Sequence, residues 1–324
     1  MVGRELNSSP KLLNTEYNQK RLKCIFNKGV LFYLEFNIRI CFFLLLNKTD
    51  IVVANDLDTI LGVYYGSNSK TTRVFDAHEL FTEVPELQGE KLKKNIWKWV
   101  EKTFIPKFQK HYTVNDSLAK ILEDRTGIMF SVVRNVPLKT KLKKNKTKVE
   151  KYILYQGALN KGRGLVEFIN VMTNIDLKLK IAGRGDIENE LKALVVEKKL
   201  ESKIEFLGNL EPSELLKITQ SAYIGLNLLE NNSLNYYYSL ANKYFDYIQQ
   251  EVPQICMNFP EYKVLNKEFE VAVLIKNLDK ANILNALKRI QEVEYYKQLQ
   301  KNCKRAKESY TWENELEKLL SNYQ

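Results

Sequence analysis

The sequence predicts an α/β protein made of two doubly wound parallel-sheet domains facing each other across a cleft, and three observations predict it. From about Asp50 short β-branched runs alternate with stretches of helical spacing. The runs end in polar or glycine-rich turns, where open α/β sheets place their ligands. The pattern then breaks at Asn135-Val136-Pro137 and a lysine-rich stretch, and starts again from Tyr152. With 324 residues, 44% of them hydrophobic and 27% charged, the chain is large enough to bury two cores, which excludes disorder and collagen-like structure.

Before Asp50 the pattern reads as helical. The strongest apolar run, Ile40 to Leu46, is seven residues long, far short of the roughly 20 that span a bilayer, so no transmembrane helix is expected. With Leu31-Phe32-Tyr33-Leu34 upstream and Lys20, Arg21, Lys23 and Lys28 nearby, it suits an amphipathic helix on a membrane surface or a helix buried against a sheet. Ile51-Val52-Val53-Ala54 is a strand, Asn55-Asp56-Leu57-Asp58 a polar loop, and Thr59 to Tyr65 a helix. Thr72-Arg73-Val74-Phe75 is the next strand, ending at Asp76-Ala77-His78-Glu79. Lys91 to Phe108 is a basic helix, His111 to Val114 a strand with an Asn115-Asp116-Ser117 helix cap after it, and Ser131-Val132-Val133 closes the first half. Residues 138–149 hold six lysines and little apolar content, as a solvated linker does.

The second half restarts with a strand at Tyr152 to Tyr155, a glycine-rich turn from Gly157 to Gly164 and a helix from Leu165 to Met172. Leu177 to Ala182 is a strand ending in Gly183-Arg184-Gly185, and a helix runs from Ile187 to Lys199. Ile204 to Gly208 and Tyr223 to Asn227 supply two more strands of a parallel sheet.

Composition narrows the function classes. Cys24, Cys41, Cys256 and Cys303 lie far apart with no CxxC pair, so they read as reduced, mostly buried thiols rather than a disulfide framework or zinc site. With His78 and His111 the only histidines, a multi-histidine metal centre is excluded. The N-terminus lacks a basic segment followed by an apolar core, so no secretory signal is expected and the protein belongs in the cytoplasm. The net charge is +11; residues 1–150 carry 26 basic and 16 acidic side chains, and the remainder 24 and 23. The first half thus suits an anionic partner such as a membrane face or phosphorylated lipid, or simply presents a lysine-rich solvated surface. Nucleic acid is not expected as a partner, since no recognition motif accompanies the charge.

Two stretches carry chemistry. Gly157-Ala158-Leu159-Asn160-Lys161-Gly162-Arg163-Gly164 joins a strand to a helix. Its glycines let backbone approach an anion, and Arg163 can grip a diphosphate bidentately. It matches neither GxGxxG nor the Walker pattern, and glycines that serve packing alone are the other reading. In the second stretch, Tyr236 to Tyr247, Ser239 or Asn242 can cap a helix and place Lys243 in its first turn, where an anion would relieve the mismatch with the dipole. Asp246, one turn beyond Asn242, is placed to accept from a ribose diol; a core helix with packing tyrosines is the alternative.

The string from Tyr155 to Gly164, the Gly183-Arg184-Gly185 turn, Phe206-Leu207-Gly208 and Ser239-Leu240-Ala241-Asn242-Lys243-Tyr244-Phe245-Asp246-Tyr247 resemble the donor half of GT-B glycosyltransferases of family 4, nearest to bacterial members that build surface polysaccharides. Ala54 to Thr59, Asp76 to Leu87 and Arg134 to Pro137 resemble the acceptor half. The resemblance implies two Rossmann-like domains and transfer of a sugar from a nucleoside-diphosphate sugar to a polysaccharide or lipid-linked acceptor. It further implies retention of configuration, no cofactor and no bound metal, with protein cations steadying the departing diphosphate. Residues 1–137 would be the acceptor domain, 138–150 a linker, 151–305 the donor domain and 306–324 a C-terminal helix able to cross back, with Trp312 as its anchor.

By the same resemblance His78, Arg163 and Lys243 are catalytic. Gly157, Asn160, Gly162, Gly164, Gly183, Gly185, Glu230, Asn242 and Asp246 bind the donor, and Asn55, Asp56, Asp58 and Glu79 serve the acceptor side. The sequence departs from the family at Ala158, where an arginine is usual, so that Lys243 or Lys161 must compensate, and at Tyr238, where a glutamate is usual. Val2 to Leu6 resembles a point inside the acceptor domain, so a unit of about thirty residues is expected to be missing ahead of it. The expected function is therefore a glycosyltransferase peripheral to the inner face of the plasma membrane; the alternative is a truncated remnant that binds nucleotide or a protein partner without turnover.

Overall fold

A computed structural model of the chain describes residues 1–6, 9, 11–12, 15–140, 151–321 and 323. The lysine-rich linker expected over 138–150 lies outside the described residues from 141 onward. The chain divides into two compact units, Met1–Val132 and Val133–Asn322.

The first unit opens with strands β1 (Val2–Glu5) and β2 (Lys20–Lys23), paired in parallel, where the sequence pattern reads as helical. Helix α1 (Gly29–Leu46) follows, then β3 (Ile51–Asn55), α2 (Ile60–Gly66), β4 (Thr72–Ala77), α3 (Lys91–Phe104), β5 (Lys110–Thr113), α4 (Asp116–Thr126) and β6 (Ser131–Val132). Strands β3 to β6 form a four-stranded parallel sheet in sequence order, and β1 and β2 form a sheet of their own. Helix α3 stops four residues before the expected Phe108, because Pro106 cannot donate a backbone hydrogen bond and the chain tightens into a 3-10 turn at Ile105–Lys107. Asn115 caps α4 as expected, accepting from the Leu118 N–H at 2.8 Å.

Helix α1 corrects the expectation that no segment is long enough to cross a membrane. The apolar run extends backward through Val30 to Ile38 into one helix of 18 residues with mean hydropathy 1.8, of which 22% is buried. By length and composition alone that is enough for a span. Its inner face packs on α2, where Gly62 and Gly66 let the helices touch: a Cβ at Gly62 would stand 2.7 Å from the Asn37 carbonyl oxygen, and one at Gly66 2.8 Å from the Cys41 Cα. The buried Asn37 is fully used, donating to the Tyr33 and Asp58 carbonyls and accepting from the Gly62 N–H. Leu31, Leu34, Ile38, Phe42 and Leu45, at helical spacing, are exposed.

The second unit carries β7 (Tyr152–Gln156), α5 (Leu165–Val171), β8 (Lys178–Ala182), α6 (Glu188–Glu197), β9 (Ile204–Gly208), α7 (Pro212–Ser221), β10 (Ile224–Asn227), α8 (Leu234–Tyr237), α9 (Asn242–Gln249), β11 (Gln254–Met257), α10 (Pro260–Glu268), β12 (Ala272–Ile275), α11 (Lys280–Ile290), α12 (Val293–Ser309) and α13 (Trp312–Ser321). Its six strands are all parallel, in the order β12-β11-β10-β7-β8-β9. The strand order therefore reverses between β7 and β10, and ligands of such sheets sit beyond the carboxyl ends at that point. Every residue of β7, β10 and β11 is buried, as strands covered on both faces are. Helix α13 is fastened to the start of its own unit: the Trp312 N–H donates to the Pro137 carbonyl at 2.9 Å, and the Arg134 N–H to the Glu315 carboxylate at 2.9 Å. Cys256 and Cys303 are buried as expected, whereas Cys24 and Cys41 are half-buried.

The loops after β7 and β8 are locked together. Gly157 donates to Ala182, Leu159 to Arg184 and Ile187 back to Leu159. At Gly183, with φ of 140°, a Cβ would lie 2.0 Å from the Gly157 carbonyl oxygen. Gly183→Ala is therefore expected to cost roughly 2–5 kcal/mol through steric overlap and backbone strain. Urea denaturation checks this; a midpoint equal to wild type would mean that the loop gives way freely.

Candidate functional site

The turn after β7 lies at the strand-order reversal. Gly162 and Gly164 are held at φ of 80° and 67°, and their missing side chains make room for the Tyr236 ring and Leu228. A Cβ at Gly185 would meet the Leu159 carbonyl oxygen at 2.4 Å, and the Asn160 side chain accepts from the Asp186 N–H at 3.4 Å. Packing explains these glycines. Gly157 differs: at φ of 126°, its Cβ would meet only the end of Lys243, with Nζ at 3.4 Å. Its bare backbone leaves space in front of that ammonium. Beside it Gly157, Ala158, Gly183, Arg184, Asn209, Leu210 and neighbours line a cavity of about 330 Å³.

Two cations lie near the turn, neither of them among the residues that line this cavity. Lys243 is buried, with Nζ 3.8 Å from the centre of the Tyr155 ring. Burial, and then repulsion from Arg163, hold its pKa well below the ordinary lysine range, and Asp246 only partly offsets this. The Arg163 guanidinium lies 5.1 Å from the Tyr236 ring centre, and its buried Nε has no hydrogen-bond partner among the described residues. Cations that repel each other in a buried place are stabilised by an anion that touches both.

Neither capping expectation holds for α9. Ala241 occupies the N-cap without a side-chain hydrogen bond, Asn242 is already the first helical residue, and the Ser239 hydroxyl donates instead to the Tyr236 carbonyl at 2.8 Å. Lys243 is nevertheless in the first turn, as expected. Asp246 follows one turn on, its Oδ2 accepting from Gln156 Nε2 at 2.9 Å, and burial raises its pKa to about 6. Glu230 follows β10; its N–H donates to the Gly162 carbonyl at 2.8 Å and its carboxylate accepts from Asn232 at 3.1 Å. Tyr238 follows α8 with its ring against Tyr237.

In the first unit, Asp56 and His78 are brought together at the carboxyl ends of β3 and β4. Asp56 Oδ1 accepts from the His78 backbone N–H at 2.8 Å, and His78 Nε2 lies 2.9 Å from Asp76 Oδ2. Asp76 raises the pKa of His78, whose side chain is 40% exposed. Burial lifts the pKa of Asp58 to about 6, and the charge of Glu79 nearby adds to the rise. Asn55 is exposed, its carbonyl accepting from the Thr59 hydroxyl. Asp76 is a partner the sequence reading passed over, although two residues apart on a strand share a face. Gln156, a polar residue closing an apolar strand, is another.

Burial pushes Asp56 up to about 7, and its φ is 58°. A carboxyl raised in the folded state binds more protons than the unfolded chain between about pH 4 and 7, so stability falls as pH rises through that window and the penalty is complete above it. Asp56→Asn keeps the acceptor and suits the positive φ. It is expected to raise Tm above about pH 7 by several degrees, at roughly 2–4 °C per kcal/mol, and to lose that advantage toward pH 4. Melting curves across pH decide it.

Residues 139–309 match the model of the family described as glycosyl transferases group 1. Among solved structures the chain is similar to sucrose-phosphate synthase from Thermosynechococcus elongatus, at 14% identity and TM-score 0.78, covering 100% of this chain and 87% of that one. It is also similar to Anabaena HepE in complex with UDP, at 10% identity and TM-score 0.71, covering 94% and 85%. A third is the pneumococcal O-GlcNAc transferase GtfA in complex with UDP and GlcNAc, at 16% identity and TM-score 0.66, covering 89% of this chain and 59% of that one. At such identities the likeness is one of fold, and it bears out the α/β, Rossmann-like class expected from the sequence. No curated protein matches the chain by sequence.

Proposed function

The chain belongs to the glycosyl transferases group 1 family, and from that premise we propose that it moves a sugar from a nucleoside-diphosphate sugar to a polysaccharide or lipid-linked acceptor, with retention of configuration. The observation that carries this reading is the buried Lys243 with the half-buried Arg163 near enough to repel it, beside the bare backbone of Gly157. The pair neutralises the diphosphate as it leaves, in the role a metal plays elsewhere. Asp246 accepts from the ribose diol, Glu230 takes sugar hydroxyls from the loop after β10, and His78 serves the transferred sugar from the acceptor unit.

UDP is the first nucleotide to test, since it is the one bound in the HepE and GtfA structures. Donor turnover with UDP-glucose, UDP-GlcNAc and GDP-mannose, with and without EDTA, tests the assignment. Transfer that survives EDTA and gives a product with the donor's anomeric configuration is expected. An inverted product overturns retention, and loss of turnover in EDTA overturns metal independence. Ala158 and Tyr238, which replace charged residues of the family, favour a second reading as a nucleotide-binding remnant. A thermal shift with UDP that no donor converts into turnover selects that reading.

We also place the protein at the inner face of the plasma membrane. Residues 1–48 hold eight basic and three acidic side chains, with Lys11, Lys20, Lys23, Lys28 and Lys48 exposed in the same stretch of chain as the apolar row of α1. Co-sedimentation with phosphatidylglycerol vesicles but not with phosphatidylcholine vesicles is the expected result, weakened by salt and by Leu34→Glu.

A further inference from the structure

Gln156 closes β7 and is 4% exposed. Its amide joins two other elements of the donor unit: Nε2 donates to Asp246 Oδ2 of α9 at 2.9 Å, and Oε1 accepts from the Thr219 hydroxyl of α7 at 2.7 Å. Thr219 is 2% exposed. Its single proton has a second acceptor in reach, the Leu215 carbonyl at 2.8 Å. Proton counting fixes the arrangement. While Asp246 is ionised, Gln156 must turn its NH2 toward the carboxylate, because its carbonyl there would set two acceptors against each other. The Gln156 oxygen then needs a donor, and Thr219 is the group that supplies it. Asp246 Oδ1 has no hydrogen-bond partner among the described residues.

We infer that Gln156, oriented by Thr219, is a positioning residue that holds the Asp246 carboxylate as a ready-made acceptor for the ribose diol of the donor nucleotide. The inference rests on the proposed role of Asp246. A carboxylate pinned at one oxygen loses little rotamer freedom when the diol arrives, so its hydrogen bonds to the ligand go further toward affinity. The same amide favours the ionised carboxylate, as does Lys243 one turn earlier on α9, while burial opposes it. Beyond α9 itself, Gln156 of β7 is the neighbour that bonds the carboxylate, and Tyr247 beside it stays neutral because burial holds its hydroxyl far above the ordinary range.

The test is isothermal titration of the full chain with whichever of UDP, GDP and ADP binds, and with its 2′,3′-dideoxy analogue. Gln156→Ala is expected to weaken the ribonucleotide about tenfold, the worth of one hydrogen bond to a charged group, and to leave the dideoxy analogue unchanged. Thr219→Val, which preserves shape, should give a smaller loss of the same kind. The double variant Gln156→Ala/Asp246→Ala should bind no worse than Asp246→Ala alone. In Gln156→Ala the pH below which ribose-dependent affinity is lost should rise above the wild-type value. If Gln156→Ala weakens both ligands equally or neither, while Asp246→Ala loses only the ribonucleotide, the inference is overturned and the ribose role of Asp246 stands. If Asp246→Ala does not distinguish the two ligands, that role falls and the inference with it.

Discussion

Replacing Lys243 by methionine is expected to cut sugar transfer by roughly 10²–10³-fold, the usual loss on removing one group that meets developing charge, and at the same time to raise Tm. The two effects have one cause. In the free protein the ammonium is buried, faces the Tyr155 ring and is repelled by Arg163, so its charge costs folding energy that only a bound diphosphate returns. The sign of the pH dependence follows. A lysine whose folded pKa is lowered binds fewer protons in the folded state than in the unfolded one, so wild-type stability climbs with pH from the folded value toward 10.5. The methionine variant lacks that climb, and its advantage is largest at low pH. A bound diphosphate favours the charged form of Lys243, so UDP titrations in buffers of different ionisation enthalpy should show more proton uptake in wild type than in Lys243→Met. A variant that is less stable than wild type and still active would remove Lys243 from the site.

Replacing Arg163 by alanine is expected to lower turnover by a similar roughly 10²–10³-fold, for a different reason and with a different signature. Arg163 sits between Gly162 and Gly164, both at positive φ, in a turn shaped to present it. Its loss forfeits the stacking on Tyr236, about 0.5–1 kcal/mol, so Tm should change little. Removing its charge also relieves the repulsion on Lys243, whose pKa should rise, and proton uptake on UDP binding should shrink accordingly. Arg163→Lys keeps the charge but not the planar fork, and should recover turnover only in part. Turnover within a few-fold of wild type in Arg163→Ala would show that Lys243 alone carries the diphosphate.

Much of this site is legible in short windows of sequence. The Gly157 to Gly164 turn between strand and helix, and the lysine placed one turn before an aspartate, each follow from local spacing, and in the structure Arg163 comes near enough to Lys243 to lower its pKa. Other features resist local reading. Ser239 and Asn242 are both good cap residues, yet the cap falls on Ala241, because α9 begins at Asn242, which leaves Ser239 three residues ahead of the helix and Asn242 already inside it. Gly183 reads as an anion-binding glycine, whereas the carbonyl of Gly157, 26 residues earlier, leaves no room for a Cβ. The apolar run Ile40 to Leu46 reads as too short to span a membrane, and folding extends it into an 18-residue helix with an exposed face.

By itself, then, the sequence determined the α/β class, the strand-to-helix turns and the residue types suited to meet an anion, because periodicity and turn chemistry are encoded within a dozen neighbouring residues. Tertiary structure alone decided which groups are buried together. Gln156 and Asp246, 90 residues apart in the chain, become partners only when α9 packs beside β7. Lys243 acquires its lowered pKa only when burial strips its water and Arg163 comes near. Desolvation and long-range pairing depend on the whole fold, and they convert an ordinary lysine and aspartate into a poised site.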